Sequence, residues 1–455
     1  MSVSGQPILV GGPQAEGDLV VRRARVFDPR SGLDEQRDVV VRGGVVAEVA
    51  APGSAEARGE EIEAEGLLLA PAFVDPHVHF RVPGQEHKEE LETGTRAAAA
   101  GGFSAVLAMP NTDPVIDSGS ILGALREAAR REARIPVGFL GAITVGQGGE
   151  ELTAMGEMRE MGAAGFTDDG LPVASAGILR RALQYQRMVG GVLALHEEDP
   201  TLSAAGAMHE GRVSAELGVG GIPSVSESSM IARDALIAGY EDGAIHCQHL
   251  SSAESVAAVA VAKEAGIRIT CEVSPHHLCF TDEDVRTLDT RMKMNPPLRA
   301  ESDRQALIEG LRSGVIDCIA TDHAPHAPHE KEVPFEQAPM GTTGLESAFA
   351  ACYDELVVPG ILSLGVLLER MNAGAAIFGL PTPSITPGSP ADVVLIDLDR
   401  EWVVGADGYE SRSDNCAFGG RRLTGRVLMT IAGGAVAYRD RAFTLGPVPD
   451  QAAPR

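Results

Sequence analysis

Eight short apolar runs, divided by stretches with apolar residues at helical spacing, fill the middle of this chain and leave few folds open to it. The runs are Phe73 to His79, Ser104 to Met109, Val137 to Ala142, Gly165 to Thr167, Val192 to His196, Ile245 to His249, Arg268 to Glu272 and Asp317 to Thr321. The stretches between them, such as Ile121 to Ala133, Ser252 to Ala265 and Asp303 to Ser313, carry helix-forming residues with one apolar face. Strand and helix alternating eight times predict an α/β fold, a TIM-like (β/α)8 barrel, with its active site at the C-terminal ends of the strands.

Those ends carry the chemistry. The first run closes on Asp75-Pro-His77-Val-His79. Side chains alternate along a strand, so His77 and His79 share a side and can reach one metal ion. His196, His249 and the pair Asp322-His323 also follow strand-like runs, as do the acids Asp168 and Asp169. Wet loops put polar residues beside one or two strands by chance, but hardly beside five. Hydrolytic zinc sites use imidazole and carboxylate donors and leave room for a water whose pKa the metal lowers to roughly 7. In such a site His77, His79 and Asp322 would hold one ion and His196 and His249 a second. An acid from the fourth strand would bridge them, and alternation lets only one of Asp168 and Asp169 face that way.

Composition sets the limits. With 455 residues, 44% of them hydrophobic, the chain can bury a large core. A net charge of -26 disfavours nucleic acid and anionic membranes as partners, so an anionic substrate needs a local cluster of positive charge. The six cysteines show no CxxC spacing, the N-terminus lacks a signal-peptide layout, and no apolar stretch nears the roughly 20 residues of a membrane span. A reducing cytoplasm is the expected location. Residues 1–17 and 447–455 are expected to be disordered tails. Short β segments in 18–70 and 385–446 are expected to pair into a small β-sandwich domain, leaving 71–384 for the barrel.

Six motifs, taken together, are specific: Asp75-Pro-His-Val-His-Phe-Arg-Val-Pro-Gly-Gln-Glu, Met109-Pro-Asn-Thr, Phe166-Thr-Asp-Asp-Gly, Glu272-Val-Ser-Pro-His-His-Leu, Met294-Asn-Pro-Pro-Leu-Arg and Ala320-Thr-Asp-His-Ala-Pro-His. From about Asp18 to Phe443 the chain resembles the bacterial type I dihydroorotases of the amidohydrolase superfamily. The resemblance implies metal ligands at His77, His79, Asp169, His196, His249 and Asp322, with Asp169 as the bridge. It implies zinc, with two ions per subunit, and Asp322 as the acid and base beside a metal-bound hydroxide. The implied reaction is the reversible cyclisation of N-carbamoyl-L-aspartate to L-dihydroorotate, a step of pyrimidine (UMP) biosynthesis. Substrate contacts are implied at His79, Arg81, Asn111, Asn295, His326, Met340 and Gly341, with Arg81, Asn111 and His326 forming a small cationic pocket for the substrate carboxylate. A homodimer and an association with aspartate transcarbamoylase are further expectations.

Dihydropyrimidinases and hydantoinases resemble this pattern too, but bridge their metals with a carboxylated lysine from the fourth strand. The only lysines are Lys88, Lys263, Lys293 and Lys331, so none falls between Val137 and His196. Glu197 stands where many relatives are expected to carry cysteine. Among other residues, His276 and His277 read as structural, His246 as a packed core histidine, and His87, His209 and His329 as solvated. Gly341 and Gly344 are expected to mark a mobile lid.

Overall fold

The computed structural model describes residues 7–15, 17–441 and 443. Eight parallel strands form the centre: β1 (Phe73–Val78), β2 (Phe103–Ala108), β3 (Val137–Phe139), β4 (Phe166–Thr167), β5 (Leu193–Leu195), β6 (Ala244–Cys247), β7 (Arg268–Val273) and β8 (Cys318–Ile319). They pair as β1-β2-β3 and as β4-β5-β6-β7-β8. Single bridges close the ring, from Gly141 to Phe166 between β3 and β4, and from Val78 to His323 between β1 and β8. Asp75 strengthens the second seam, accepting from Thr321 Oγ1 at 2.5 Å and from the His77 amide at 3.1 Å. The hydrogen-bonded strands stop short of the expected runs at several ends, since chain leaving the sheet there is free to aim side chains at a common point.

Both chain ends join in one small β domain, as expected, its strands hydrogen-bonded in a continuous eight-stranded sheet around a core of its own. Its order runs Ala435–Arg439, Arg422–Ala432, Val393–Val403, Leu68–Pro71, Leu19–Asp28, Leu33–Arg42 and Val45–Ala50, with Glu60–Glu63 paired alongside Leu19–Asp28. Alternation divides its residues between two cores. Val393 and Leu395 pack with Val21, Val39 and Ile431 inside the sheet domain, whereas Val394 and Ile396 face the barrel's cluster. Each such side chain, fully buried, contributes roughly 1.5–3 kcal/mol. Thr430 adds a direct tie, its Oγ1 donating to Ala99 O at 2.6 Å.

The expectation of a loose tail over 1–17 does not hold for residues 7–10. Val10 is buried and exchanges backbone hydrogen bonds with Val137, and Arg126 donates to Pro7 O and Ile8 O. Ile8 and Leu9 pack on the cluster of Val74, Leu107 and Leu140, so the segment finds enough apolar surface to offset the entropy of ordering it. The tail 447–455 lies outside the described residues. No helix among the described residues is long and apolar enough to cross a membrane, and all six cysteines are free and buried.

Candidate metal centre and substrate pocket

His77 lies one residue before the end of β1 and His79 follows the strand; both side chains converge on Asp169, just past β4, and Asp322, past β8. His79 Nε2 lies 3.0 Å from Asp322 Oδ1 and 3.4 Å from Asp169 Oδ2, while His77 Nε2 lies 3.5 Å from an oxygen of each. From the other side come His249 Nε2, 3.6 Å from Asp169 Oδ1, and His196 Nδ1, 3.9 Å from the same oxygen. Asp169 is thus the one carboxylate within reach of all four imidazoles. Asp168 turns away, accepting from the amides of Ile143 and Thr144 and from the Thr144 hydroxyl. The choice that alternation left open falls on Asp169.

The donor set fits divalent metal. His77, His79 and Asp322, and likewise His77, Asp169 and His249, offer ligand atoms within 4.8 Å of one another. His77 Nε2 is buried, has no hydrogen-bond partner, and points into this cluster. Three of the four rings are oriented from behind, as is usual for metal-binding imidazoles. His77 Nδ1 donates to Glu272 Oε1 at 2.6 Å, His79 Nδ1 to Asn111 Oδ1 at 2.9 Å, and His196 Nε2 to Glu198 Oε2 at 3.3 Å. Burial would raise the Asp169 carboxyl, but the neighbouring imidazoles, His77 first and His249 and His79 with it, hold it well below the ordinary range. Burial likewise opposes ionisation of Asp322, and the His79 hydrogen bond and the charge of His77 overcome it. Both acids are therefore ionised, as ligands must be.

Above the cluster opens a cleft of about 310 Å³ lined by His79, Arg81, Asn111, Asn295, His326, Met340 and Gly341 together with Asp169, His196, His249 and Asp322. Every residue expected to touch substrate is on its wall. Arg81 does not reach it by the alternation that places His77 and His79. It lies beyond β1 with φ of 61°, which kinks the chain and turns the side chain inward. Its Nε donates to Pro325 O at 3.1 Å, and no acceptor is found for its terminal nitrogens among the described residues. Asn295 donates from Nδ2 to Glu198 Oε2 at 2.6 Å and keeps a buried, unbonded Oδ1.

Two expectations about this cleft need correction. His326 adds no positive charge: burial, then the neighbouring Arg81 charge, push its imidazole down to about 2, and its Nε2 donates to Met340 O at 2.8 Å. The cationic character comes from Arg81. Nor is the segment around Gly341 a free lid. Gly341 N donates to Lys293 O, Gly341 O accepts from Asn415 Nδ2, and Lys331 Nζ donates to Pro339 O, all within 3.2 Å. Gly341 is needed there, with φ of 138° and only 2.9 Å between a Cβ and Ala324 or His326.

The remaining histidines divide. His276 and His277 are buried behind the site, and His277 is bonded to Ser274 Oγ and Pro296 O. His246 is buried in the core, as expected, with Thr270 and Glu272 as partners. His87 and His329 are exposed. His209 is not simply solvated: half-buried beside Arg299, it is pushed down to about 4 by burial and by that charge. The supporting roles of Glu272, Glu198 and Asn415 were missed. Glu272 stood inside a motif, but nothing local in the sequence singles out the other two, because their partners are distant along the chain.

A family model described as dihydro-orotase-like matches residues 66–255. A dihydroorotase of Pelotomaculum thermopropionicum is 45% identical over 426 residues, covering 93% of this chain and 99% of that protein. The chain belongs to the dihydroorotase family. Other dihydroorotases agree: that of Anaeromyxobacter dehalogenans is 45% identical over 93% of this chain and 98% of its own length, and that of Geobacter metallireducens 42% over 93% and 100%. Among solved structures, the fold is similar to L-hydantoinase (dihydropyrimidinase) from Arthrobacter aurescens, with a TM-score of 0.83 at 26% identity over 92% of this chain and 96% of that one. It is also similar to dihydropyrimidinase from Brevibacillus agri, with a TM-score of 0.80 at 22% identity over 94% and 96%. A dihydroorotase-family sequence thus folds as a cyclic-amidohydrolase barrel.

Proposed function

We propose that this chain is a dihydroorotase that interconverts N-carbamoyl-L-aspartate and L-dihydroorotate, closing or opening a cyclic amide with loss or gain of water. The observation that carries the reading is Arg81, a buried guanidinium with its terminal nitrogens free in a cleft whose other wall is the histidine and aspartate cluster. Cyclic amide substrates without a carboxylate give such a guanidinium nothing to bind. The family match supports the same choice.

The metal reading is zinc, two ions per subunit, with His77, His79 and Asp322 at one position, His196 and His249 at the other, and Asp169 shared. When bound, these ions polarise the amide carbonyl and make a water acidic enough to attack near neutral pH. The chain's own residues do the rest. Arg81 anchors the substrate carboxylate with a planar fork. Asn295, Met340 and Gly341 line the same cleft and would confine the ring against the metal positions. Asp322, held ionised, takes the proton of the attacking water and delivers it to the departing ring nitrogen; for cyclisation the same groups act in reverse. His79, whose Nδ1 is held by Asn111 Oδ1, would present Nε2 to the same position as Asp322.

The test is substrate choice by zinc-loaded protein. L-dihydroorotate should be hydrolysed, with much less turnover of hydantoin or dihydrouracil. Dihydrouracil turnover equal to or above that of dihydroorotate would sink the assignment. Light scattering of the protein alone, and mixed with aspartate transcarbamoylase, tests the proposed homodimer and the proposed association.

A further inference from the structure

We infer that Glu272 is a positioning residue that couples the two metal positions; this rests on the reading of the cluster as a metal pair. Glu272 lies on β7 and does not itself line the cleft. Its Oε1 accepts from His77 Nδ1 at 2.6 Å and from the backbone amide of His249 at 3.3 Å. Its Oε2 accepts from His246 Nε2 at 3.0 Å. One carboxylate therefore holds a side chain assigned to the first position and the main chain of a ligand assigned to the second.

Both contacts matter chemically. A proton kept on His77 Nδ1 leaves the lone pair on Nε2, the buried atom that points at Asp169 and Asp322. His249 sits at φ of 32°, a left-handed conformation costly to a residue with a Cβ, and such strain persists only where neighbours impose it. The Glu272 oxygen holds the amide that fixes that turn. His246, otherwise a plain core histidine, becomes the third support of the same carboxylate, with Thr270 Oγ1 2.9 Å from its other nitrogen. Cys318 lies near enough for His246, Glu272 and Cys318 to form a donor triplet within 4.8 Å. Both Glu272 oxygens are already engaged by N–H donors, so the geometry favours a hydrogen-bonded brace over a third ion.

The experiment compares wild type, Glu272→Gln and His246→Gln by zinc content and by zinc affinity in competition with a chromophoric chelator. Circular dichroism and melting of the metal-free proteins run in parallel. Glutamine keeps the size of Glu272 but turns an NH2 toward one of the N–H donors. Affinity in Glu272→Gln should fall about 10- to 100-fold, the loss typical of removing a partner behind a metal ligand. His246→Gln should fall in the same direction by less, with the metal-free fold retained in both. Wild-type affinity in both variants overturns the brace, as does a lowered metal-free melting temperature with unchanged zinc affinity. Loss of one whole zinc equivalent from wild-type stoichiometry in Glu272→Gln, with the affinity of the others unchanged, overturns it in favour of a third ion. A wild type that binds no zinc removes the metal pair itself, a result separate from failure of the variants.

Discussion

Replacing Arg81 with alanine is the perturbation that most directly reads substrate choice. Arg81 is only 9% exposed, holds one partner, Pro325 O at 3.1 Å, and presents its remaining donors to the cleft. If a substrate carboxylate takes those donors, truncation leaves a buried anion unpaired, a loss of roughly 2 to 5 kcal/mol. At about 1.4 kcal/mol per tenfold, kcat/KM for L-dihydroorotate should drop roughly 30-fold to 4,000-fold. Arg81→Lys should recover part of this, because an ammonium carries the charge but not the fork. The control is dihydrouracil, which has no carboxylate. Its slow turnover should scarcely change, even though the lost Pro325 contact gives truncation some structural cost. Steady-state kinetics on both rings decide it: equal fractional losses would refute the anchor and make Arg81 a support of the metal centre or the fold.

Asp168 and Asp169 should separate cleanly. Asp169→Ala should lower zinc affinity by more than the roughly 10- to 100-fold typical of an outer partner, and activity with it. Asp168→Asn should keep its zinc but lose roughly 1–3 kcal/mol of stability, because an NH2 replaces the buried oxygen that accepts from the Thr144 hydroxyl; metal analysis and denaturant titration check both. Asp322→Asn should fold and retain substrate affinity while kcat falls roughly 10²- to 10⁴-fold, and near-normal turnover would remove it as the proton carrier. Gly341→Ala should cost about 1–3 kcal/mol, since a Cβ at φ of 138° meets Ala324 and His326 at 2.9 Å, and thermal melting should show it.

The barrel and its ligands were legible because they depend on periodicity and on strand ends, both local properties of the chain. Eight apolar runs map onto eight strands, and the polar residues closing them converge. What escaped the sequence depends on chain direction outside regular structure or on partners far away. Arg81 follows a left-handed kink rather than strand alternation. The segment at Gly341 looked like a lid because glycine permits motion, yet here it permits a tight fit against Ala324, with Lys293, Lys331 and Asn415 as ties. Residues 1–17 read as a tail because Gly, Pro and Gln dominate them, but the short apolar run Ile8, Leu9 and Val10 suffices to dock residues 7–10 on the barrel. Whether His326 is charged is likewise a matter of burial and of Arg81, not of residue type.

Fold alone could not have chosen the substrate. The solved structures named above are hydantoinases and dihydropyrimidinases, and their similarity at 26% and 22% identity extends over nearly the whole barrel and sheet. The distinction rests on a few positions that the shared scaffold brings together. A carboxylated lysine bridge requires a lysine past the fourth strand; this chain has Asp168 and Asp169 there, and only Asp169 reaches the histidines. In the proposed acid-bridged reading, Glu272, Asn111 and Glu198 are the groups that would hold His77, His79 and His196 in place around Asp169. The same scaffold then leaves one wall of the cleft free to select the ring. Here that wall holds a single guanidinium in a strongly acidic protein, and a cyclic amide bearing its own carboxylate is the ligand that such a wall distinguishes from a neutral one.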